Sequence, residues 1–581
     1  MFKYIQNIII LVFVIQNAFC FAQDERRQTN DTLDSDVVNI VKPYTPKVSD
    51  AFKIKVIPRL DDTITNTKKK ISYNIFSIPV ASTFTPAKGK ATSLEKRKNE
   101  KTYNNYASIG FGSYTTVLGD VFLNQAISRT EIVGGYISHH SSQGEIDGIR
   151  LDNNFSDSKA RINYVKNMRD LSWEIDLGIQ HQIYNWYGTS SQYTEESMFE
   201  SIDPKHVFFT VDLGGYIDFD NGLLNNGNLR FTRFSDDYES SENRFYTQAN
   251  LNIPISDDVV KTDIIIDYLA GDFDSNYFTN DALEYANLNI GITPIYQIKK
   301  DEFTVNLGFS IFYLNNIQEN KNSFYIYPKV TTFYNLVNEI LVPYAGIEGG
   351  LKQNTYRDFA SQNPFVSPTL LIQPTDQQYD AYIGLKGKLS NNISYNLRGT
   401  YYAENDKALF KNNTFLNASS PKNYTYGNSF QIVYDDVSTL SVFGEMNFDF
   451  SRNFKVIINA EYLNYSTNNE NEAWNLPDFK ASLFLDYQIN NHWYAGANVF
   501  YVGERKAQET LEGGLLPIDF ITYYNLKSYI DANAHIGYRV NDRFSVFTKV
   551  NNIANQDYQK WLNFPVQGIQ FLAGASYKFD F

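Results

Sequence analysis

The sequence predicts an all-β fold, a transmembrane antiparallel β-barrel of about 22 strands over residues 104–581. Three observations predict it. Apolar and polar residues alternate in stretch after stretch. Tight polar turns alternate with long polar loops. The chain ends "GIQFLAGASYKFDF", a strand-like run closing on the aromatic Phe581.

Residues 171–183, "LSWEIDLGIQHQI", set the pattern. Leu171, Trp173, Ile175, Leu177, Ile179 and Ile183 share one parity; Ser172, Glu174, Asp176, Gly178, Gln180 and Gln182 share the other. Successive side chains on a strand point to opposite faces, so this strand has one apolar and one polar face. In 529–540, Ile530, Ala532, Ala534, Ile536, Tyr538 and Val540 oppose Asp531, Asn533, His535, Gly537 and Arg539. Phe454, Val456, Ile458, Ala460 and Tyr462 repeat the pattern. Alternation alone fits a soluble sandwich or a membrane barrel.

The connections separate the two. Tight turns are expected near 128–130, 169–170, 220–222, 256–257, 299–302, 335–338, 390–392, 451–453, 490–491 and 541–542. Long polar loops are expected at 141–157, 187–204, 353–378, 406–436 and 506–527. Ten turns and about eleven longer connections join about 22 strands, with both ends periplasmic, as in bacterial outer-membrane barrels. In water so many apolar faces would exceed any patch a soluble monomer exposes. Lipid solvates them, and closing the sheet pairs the backbone groups that hydrocarbon leaves unsatisfied. The composition agrees, with 43 Tyr and 43 Phe. Trp173, Trp186, Trp493 and Tyr494 suit the interfacial aromatic girdles. No run beyond the N-terminus reaches the ~18 apolar residues of a transmembrane helix.

The N-terminus reads differently. Lys3 and the apolar run Ile8–Ile15 predict a secretory signal peptide over 1–22, cleaved between Ala22 and Gln23. Cys20, the single cysteine, lies where a lipid-bearing cysteine could lie, but Phe19 before it is too large for that processing. Cleavage leaves no disulfide and no thiolate metal site. Residues 23–103 read as a basic periplasmic arm, partly disordered. The chain carries −14 overall, yet 42–101 carries +9 and 102–581 carries −21. Candidate contacts of the arm are Lys68, Lys69, Lys70, Lys96, Arg97 and Lys98. Three readings stand open. Part of 42–101 enters the lumen and pairs with inward acids such as Glu174, Asp176 and Asp531. Or it binds a periplasmic or outer-membrane protein partner, with Lys69–Ile78 adding a strand. Or it is a disordered linker.

In a closed barrel the final strand pairs with the first. Ala575, Tyr577, Phe579 and Phe581 would face lipid; Gly574, Ser576, Lys578 and Asp580 would face the lumen. Gly574, Tyr577, Phe579 and Phe581 resemble the C-terminal signal of outer-membrane proteins, which implies the barrel-assembly machinery as a partner. The run 549–581, "KVNNIANQDYQKWLNFPVQGIQFLAGASYKFDF", resembles the end of TonB-dependent receptor barrels. Val550, Asn551, Asn552, Ile553, Tyr558, Pro565 and Gly568 fit; Ile569 departs, where that family often has Arg. The resemblance implies the outer membrane, contact with its lipid and lipopolysaccharide, and receptor or transport duty. It also implies a long N-terminal plug filling the lumen. Residues 23–103 are too short, too basic and too poor in Gly to be that plug, so energy coupling is in doubt. "DDTITNT" (Asp61–Thr67) resembles a TonB-contacting box, and the use of TonB stays open.

Two functions follow. The first is a receptor or transport barrel without its plug. The alternative is a structural subunit of an outer-membrane complex, with the arm docking periplasmic partners. An enzyme is set aside, because the chain has no G-x-S-x-G, H-E-x-x-H or P-loop. No cofactor and no nucleic acid is expected. His139-His140 could bind a metal but read as a polar rim, since neighbours on a strand point apart. Asp236-Asp237 and Asp435-Asp436 could hold cations bridging lipopolysaccharide but read as solvated loop acids.

Overall fold

The computed structural model describes residues 102–581 except 191–195, 338, 417–420 and 512–519. The signal peptide with its Ala22–Gln23 junction, the arm with Lys68–Lys70 and Lys96–Lys98, and the Asp61–Thr67 run lie outside the described residues.

Twenty-two antiparallel strands form one closed sheet. The first, Asn105–Gly112, pairs with Thr116–Ala126 on one side and with the last, Gln570–Phe579, on the other. Asn105 stands opposite Phe579 and Gly112 opposite Leu572. The Asn104 N–H donates to the Asp580 carboxylate at 2.9 Å, which ties the two ends together.

Each expected turn falls between consecutive strands at one end of the barrel, from 127–130 through to 540–543; the one expected at 335–338 is the longer connection 335–341. The wall faces are as the parity predicts. Ile175, Leu177, Ile179, Ile458, Tyr462, Ile530 and Ile536 are exposed on the outside, while Asp176 is buried on the inside. Near the last strand's end, Tyr577 and Phe581 are exposed and Ser576 is buried.

At the other end the expected loops are too long. Ile393–Asn412 and Phe430–Ser451 pair well into 406–436 and leave only 413–429 as connection. Within 506–527 a separate hairpin, Arg505–Leu511 with Phe520–Leu526, stands on the rim. A membrane crossing needs about 9–11 strand residues, and Phe430–Ser451 has 22. Above the lipid the ladder continues while the apolar–polar alternation, which needs lipid on one side, fades.

Two girdle assignments are corrected. Trp493 is exposed at the turn end, as expected. Trp186 is fully buried, because the chain turns inward after Asn185 and stacks it on His206 at 4.2 Å. Tyr494 has the lumen parity; its ring covers Gly537 and lies 5.0 Å from the Arg539 guanidinium.

Candidate functional site

Where the strands rise above the lipid, several inward side chains are apolar. Phe208 and Phe234 sit on Lys205–Phe219 and Leu224–Asp236; Leu269 and Phe273 on Asp258–Phe273; Tyr285 on Leu283–Lys300. Phe410, Phe430 and Ile432 come from the far wall. All are buried, and water cannot be what covers them.

Their cover is the segment 353–374, which joins Val342–Lys352 to Thr375–Ser390. It holds a short helix, Tyr356–Gln362, whose N-cap Thr355 accepts the Asp358 N–H at 2.9 Å. Beyond the helix comes an apolar run with Phe365, Val366, Leu370 and Ile372. Tyr356, Phe359, Ala360, Val366, Leu370 and Ile372 pack with the wall residues and with Phe564 of the last loop. Tyr356 lies edge-on to Phe234 and Phe273 at 5.1 and 5.0 Å, and Phe365 stacks on Phe564 at 3.9 Å. The contributors come from well-separated parts of the ring, so the cluster bridges the mouth of the lumen.

Three carboxylates hold this segment. Glu242 accepts the backbone N–H groups of Tyr356 (2.7 Å) and Arg357 (3.3 Å) and the Tyr285 hydroxyl (2.8 Å). Asp236 accepts the Tyr356 hydroxyl at 2.7 Å and stands 3.3 Å from His206 Nε2. Asp212 takes the Arg357 guanidinium at 3.3 and 3.4 Å and the Thr232 hydroxyl at 2.7 Å.

Below the helix the inner wall alternates in charge. Arg161 lies 3.0 Å from Asp176 and 3.7 Å from Asp212. Arg230 donates to Asp176 at 2.9 Å, and Arg244 grips Asp267 at 2.9 and 2.7 Å in a two-pronged pair. A cavity of about 520 Å³ lies among Glu174, Arg230, Arg244, Arg357 and Asp358. It presents both signs of charge to anything inside it.

Glu242 gives the closure a pH dependence. Counted about 9–11 residues up from the turn at 256–257, the membrane-crossing part of Ser241–Ile255 ends below it. Burial pushes its carboxyl from 4.5 up to about 7, against the pull of its three donors. The folded value lies above the unfolded one. Its contribution to docking is therefore complete below pH 4.5 and is lost as pH rises through about 7. Protease cleavage within 353–374 should be slower at about pH 5 than at about pH 8, and Glu242→Gln should flatten the difference. A flat wild-type profile would remove Glu242 from the latch.

Other expected site residues are placed as follows. Glu174, Asp176 and Asp531 do point inward, but each has a partner already. Asp176 has two arginines, Glu174 accepts from Asn163 at 2.9 Å, and Asp531 accepts the Tyr558 hydroxyl at 2.9 Å. His139 bonds Ser158 and Ser141, while His140 lies against Phe155. Asp237 and Asp436 are exposed, as expected of loop acids, but their neighbours are not: Asp435 is buried and the Asp236 side chain is fully covered beside His206. Asp435 accepts the backbone N–H groups of Asn468, Asn469 and Glu470 and so shapes a loop. Among the described residues no group of three His, Cys, Asp or Glu is placed to hold a metal ion. The sequence reading missed Asp212, Glu242, Tyr356 and Arg357. One signal was available, the apolar run Phe365–Ile372 inside a loop taken as polar.

Neither a family model nor a curated protein matches the chain. Solved structures do. The siderophore receptor PirA of Acinetobacter baumannii aligns with a TM-score of 0.60 at 12% identity, over 83% of this chain and 81% of that one. The FrpB iron transporter of Neisseria meningitidis gives 0.60 at 11%, over 83% and 82%. The ferric-catecholate import receptor Fiu of E. coli K12 gives 0.59 at 12%, over 82% of each chain. Identities this low speak to architecture alone, and on that level the chain has the 22-strand barrel fold of the TonB-dependent receptors.

Proposed function

We propose that this is an outer-membrane barrel of the receptor or transport class, gated at its outer mouth by its own segment 353–374. The observation that carries the reading is the way the segment is held. Its helix hangs on Glu242, Asp236 and Asp212 through hydrogen bonds and one ion pair, and the rest of the segment meets the wall backbone at a single bridge, Val366 beside Phe430, with no longer ladder. Such contacts can be exchanged for contacts with a solute. The similar solved structures are named as a siderophore receptor, a ferric-catecholate import receptor and an iron transporter. In this chain each lumen arginine near the cavity has a carboxylate partner. That pairing suits a small solute without net charge better than an anionic chelate. On this reading residues 23–103 are an arm and not a plug, so passage does not depend on TonB.

The alternative, a structural subunit, has one observation in its favour. Fifteen buried apolar residues bridge the mouth and would have to separate for passage. In it the basic arm 42–101 would dock a periplasmic partner. Uptake assays with and without the chain, together with purification in mild detergent, distinguish the two. Transport predicts loss of uptake on deletion, retained when TonB is removed. Stable co-purification with envelope proteins and unchanged uptake would replace it with the scaffold reading.

A further inference from the structure

The barrel wall has one short ladder. Strand Lys321–Tyr334 pairs with Phe303–Asn316 along its whole length. On its other side it pairs with Val342–Lys352 only from Lys329 to Phe333, the shortest ladder among the described barrel strands. Above Lys329, residues 321–328 pair with no strand on that side.

The cause lies in the neighbour. Val342–Lys352 is bulged between Glu348 and Gly350, yet stays paired with Thr375–Ser390 up to Lys352. The next residue, Gln353, accepts from the inward-facing Asn289 at 2.9 Å, three strands back around the wall. The strand leans into the lumen as it leads to 353–374, and the sheet forks where it leaves. Pro328 stands at the fork, and a proline without an N–H belongs on an edge. Tyr327 crosses the inner side of the fork to Asp376 at 2.8 Å. Its ring lies where a Cβ on Gly349 would come within 2.8 Å. A side chain thus screens the lumen side, while the backbone row stays unpaired.

The depth of this edge gives it meaning. Counted about 9–11 residues up from Tyr334, positions 324–328 lie in the outer half of the hydrocarbon. Tyr313 and Phe324, with ring centroids 5.0 Å apart, suit the upper aromatic belt. Phe324 and Ile326 are each 74% exposed, against 40% for Ile311, which pairs with Ile326 in the complete ladder. Hydrocarbon supplies no hydrogen-bond partner, and sheet edges are not left open to it.

We propose that Lys321–Pro328 is a docking edge for one extended strand of a partner envelope protein, which joins the wall by β-addition. The flanks define the strand's chemistry. Phe324 and Ile326 call for apolar residues on its outer face; Tyr325 and Tyr327, on the lumen parity, call for polar ones on its inner face. Acyl chains offer no alternating donors and acceptors, which favours a polypeptide over lipid. The inference is independent of transport, since the fork exists whichever function the mouth serves.

The test is hydrogen exchange on the full chain, in native outer-membrane vesicles and after purification in harsh detergent. A docked strand predicts amides in 322–327 exchanging at least about ten-fold more slowly in the vesicles. It also predicts that a photo-reactive phenylalanine at 324 or 326 crosslinks to a mapped peptide with apolar–polar alternation. The same probe at Ile458, lipid-facing on a complete ladder, should not. Equal exchange in the two settings overturns the proposal. So do adducts to lipopolysaccharide alone or to a second copy of this chain.

Discussion

Replacing Tyr356 with alanine will open the mouth of the barrel. Tyr356 is fully buried among Phe208, Phe234 and Phe273, and its hydroxyl satisfies the Asp236 carboxylate, whose side chain is also fully covered. Truncating a buried aromatic costs about 3–5 kcal/mol, and an orphaned acceptor adds to that. The loss falls on docking of 353–374 and not on the wall, because the 22 strands pair without this ring. At about 1.4 kcal/mol per factor of ten, the undocked population should rise by about 10²- to 10⁴-fold. Tyr356→Phe keeps the ring and loses only the bond to Asp236, so it should shift the population about ten-fold. Single-channel recording of the full chain in planar bilayers reads this as open probability, with Ala above Phe above wild type. A folded Tyr356→Ala barrel as quiet as wild type would mean that something other than this segment closes the lumen.

The wall was legible in the sequence and the mouth was not, for one physical reason. Along 171–183 or 529–540 each side chain meets lipid or lumen, so a period of two appears in the residues themselves. The turns are legible because a tight reversal admits few residue types. Above the lipid that rule lapses. Phe208 and Phe234 look like any apolar strand residue, yet they face inward to receive a loop. Glu242 meets the Tyr356 N–H across 114 positions of sequence, and no local pattern announces the pair. Trp186 was misread because a tryptophan at a strand end suits a lipid girdle as well as a buried stack. The receptor-like run near the C-terminus was readable because its residues make one loop. Asn552, at φ 46°, donates to the Gln556 and Gln567 carbonyls, and Tyr558 stacks on Tyr529 at 3.8 Å. Half of a missing ladder leaves no such trace; Pro328 was its only mark.

Valine at position 574 will stop the barrel from closing. Gly574 stands opposite Gly110 on the first strand and opposite Phe547 on the strand before the last. A Cβ there would collide with the Ile109 carbonyl and come within 2.5 Å of the Phe547 ring and 2.9 Å of Gly110 Cα. The ring can rotate; the carbonyl belongs to the closing ladder and cannot. Overpacking of this kind costs about 1–3 kcal/mol, and more where backbone must move. The ladder it strikes joins Asn105 to Phe579, the most distant pairing in the barrel, whose loop-closure entropy is repaid last. An unclosed sheet exposes two edges to hydrocarbon, so failure should be nearly all-or-none. We expect the fraction of heat-modifiable, detergent-resistant barrel to fall about ten-fold or more on refolding from urea. Adding Phe547→Ala should not rescue it, because the Ile109 collision remains. Phe581→Ala offers the contrast. Phe581 is 82% exposed and lies beyond the last paired residue, so this variant should refold as wild type in detergent. If it nevertheless fails to assemble in cells, its terminal aromatic is read by the assembly machinery, whereas Gly574 acts through closure itself. Normal refolding of Gly574→Val would show that the first and last strands tolerate a gap between them, and closure would then have to rest on other contacts.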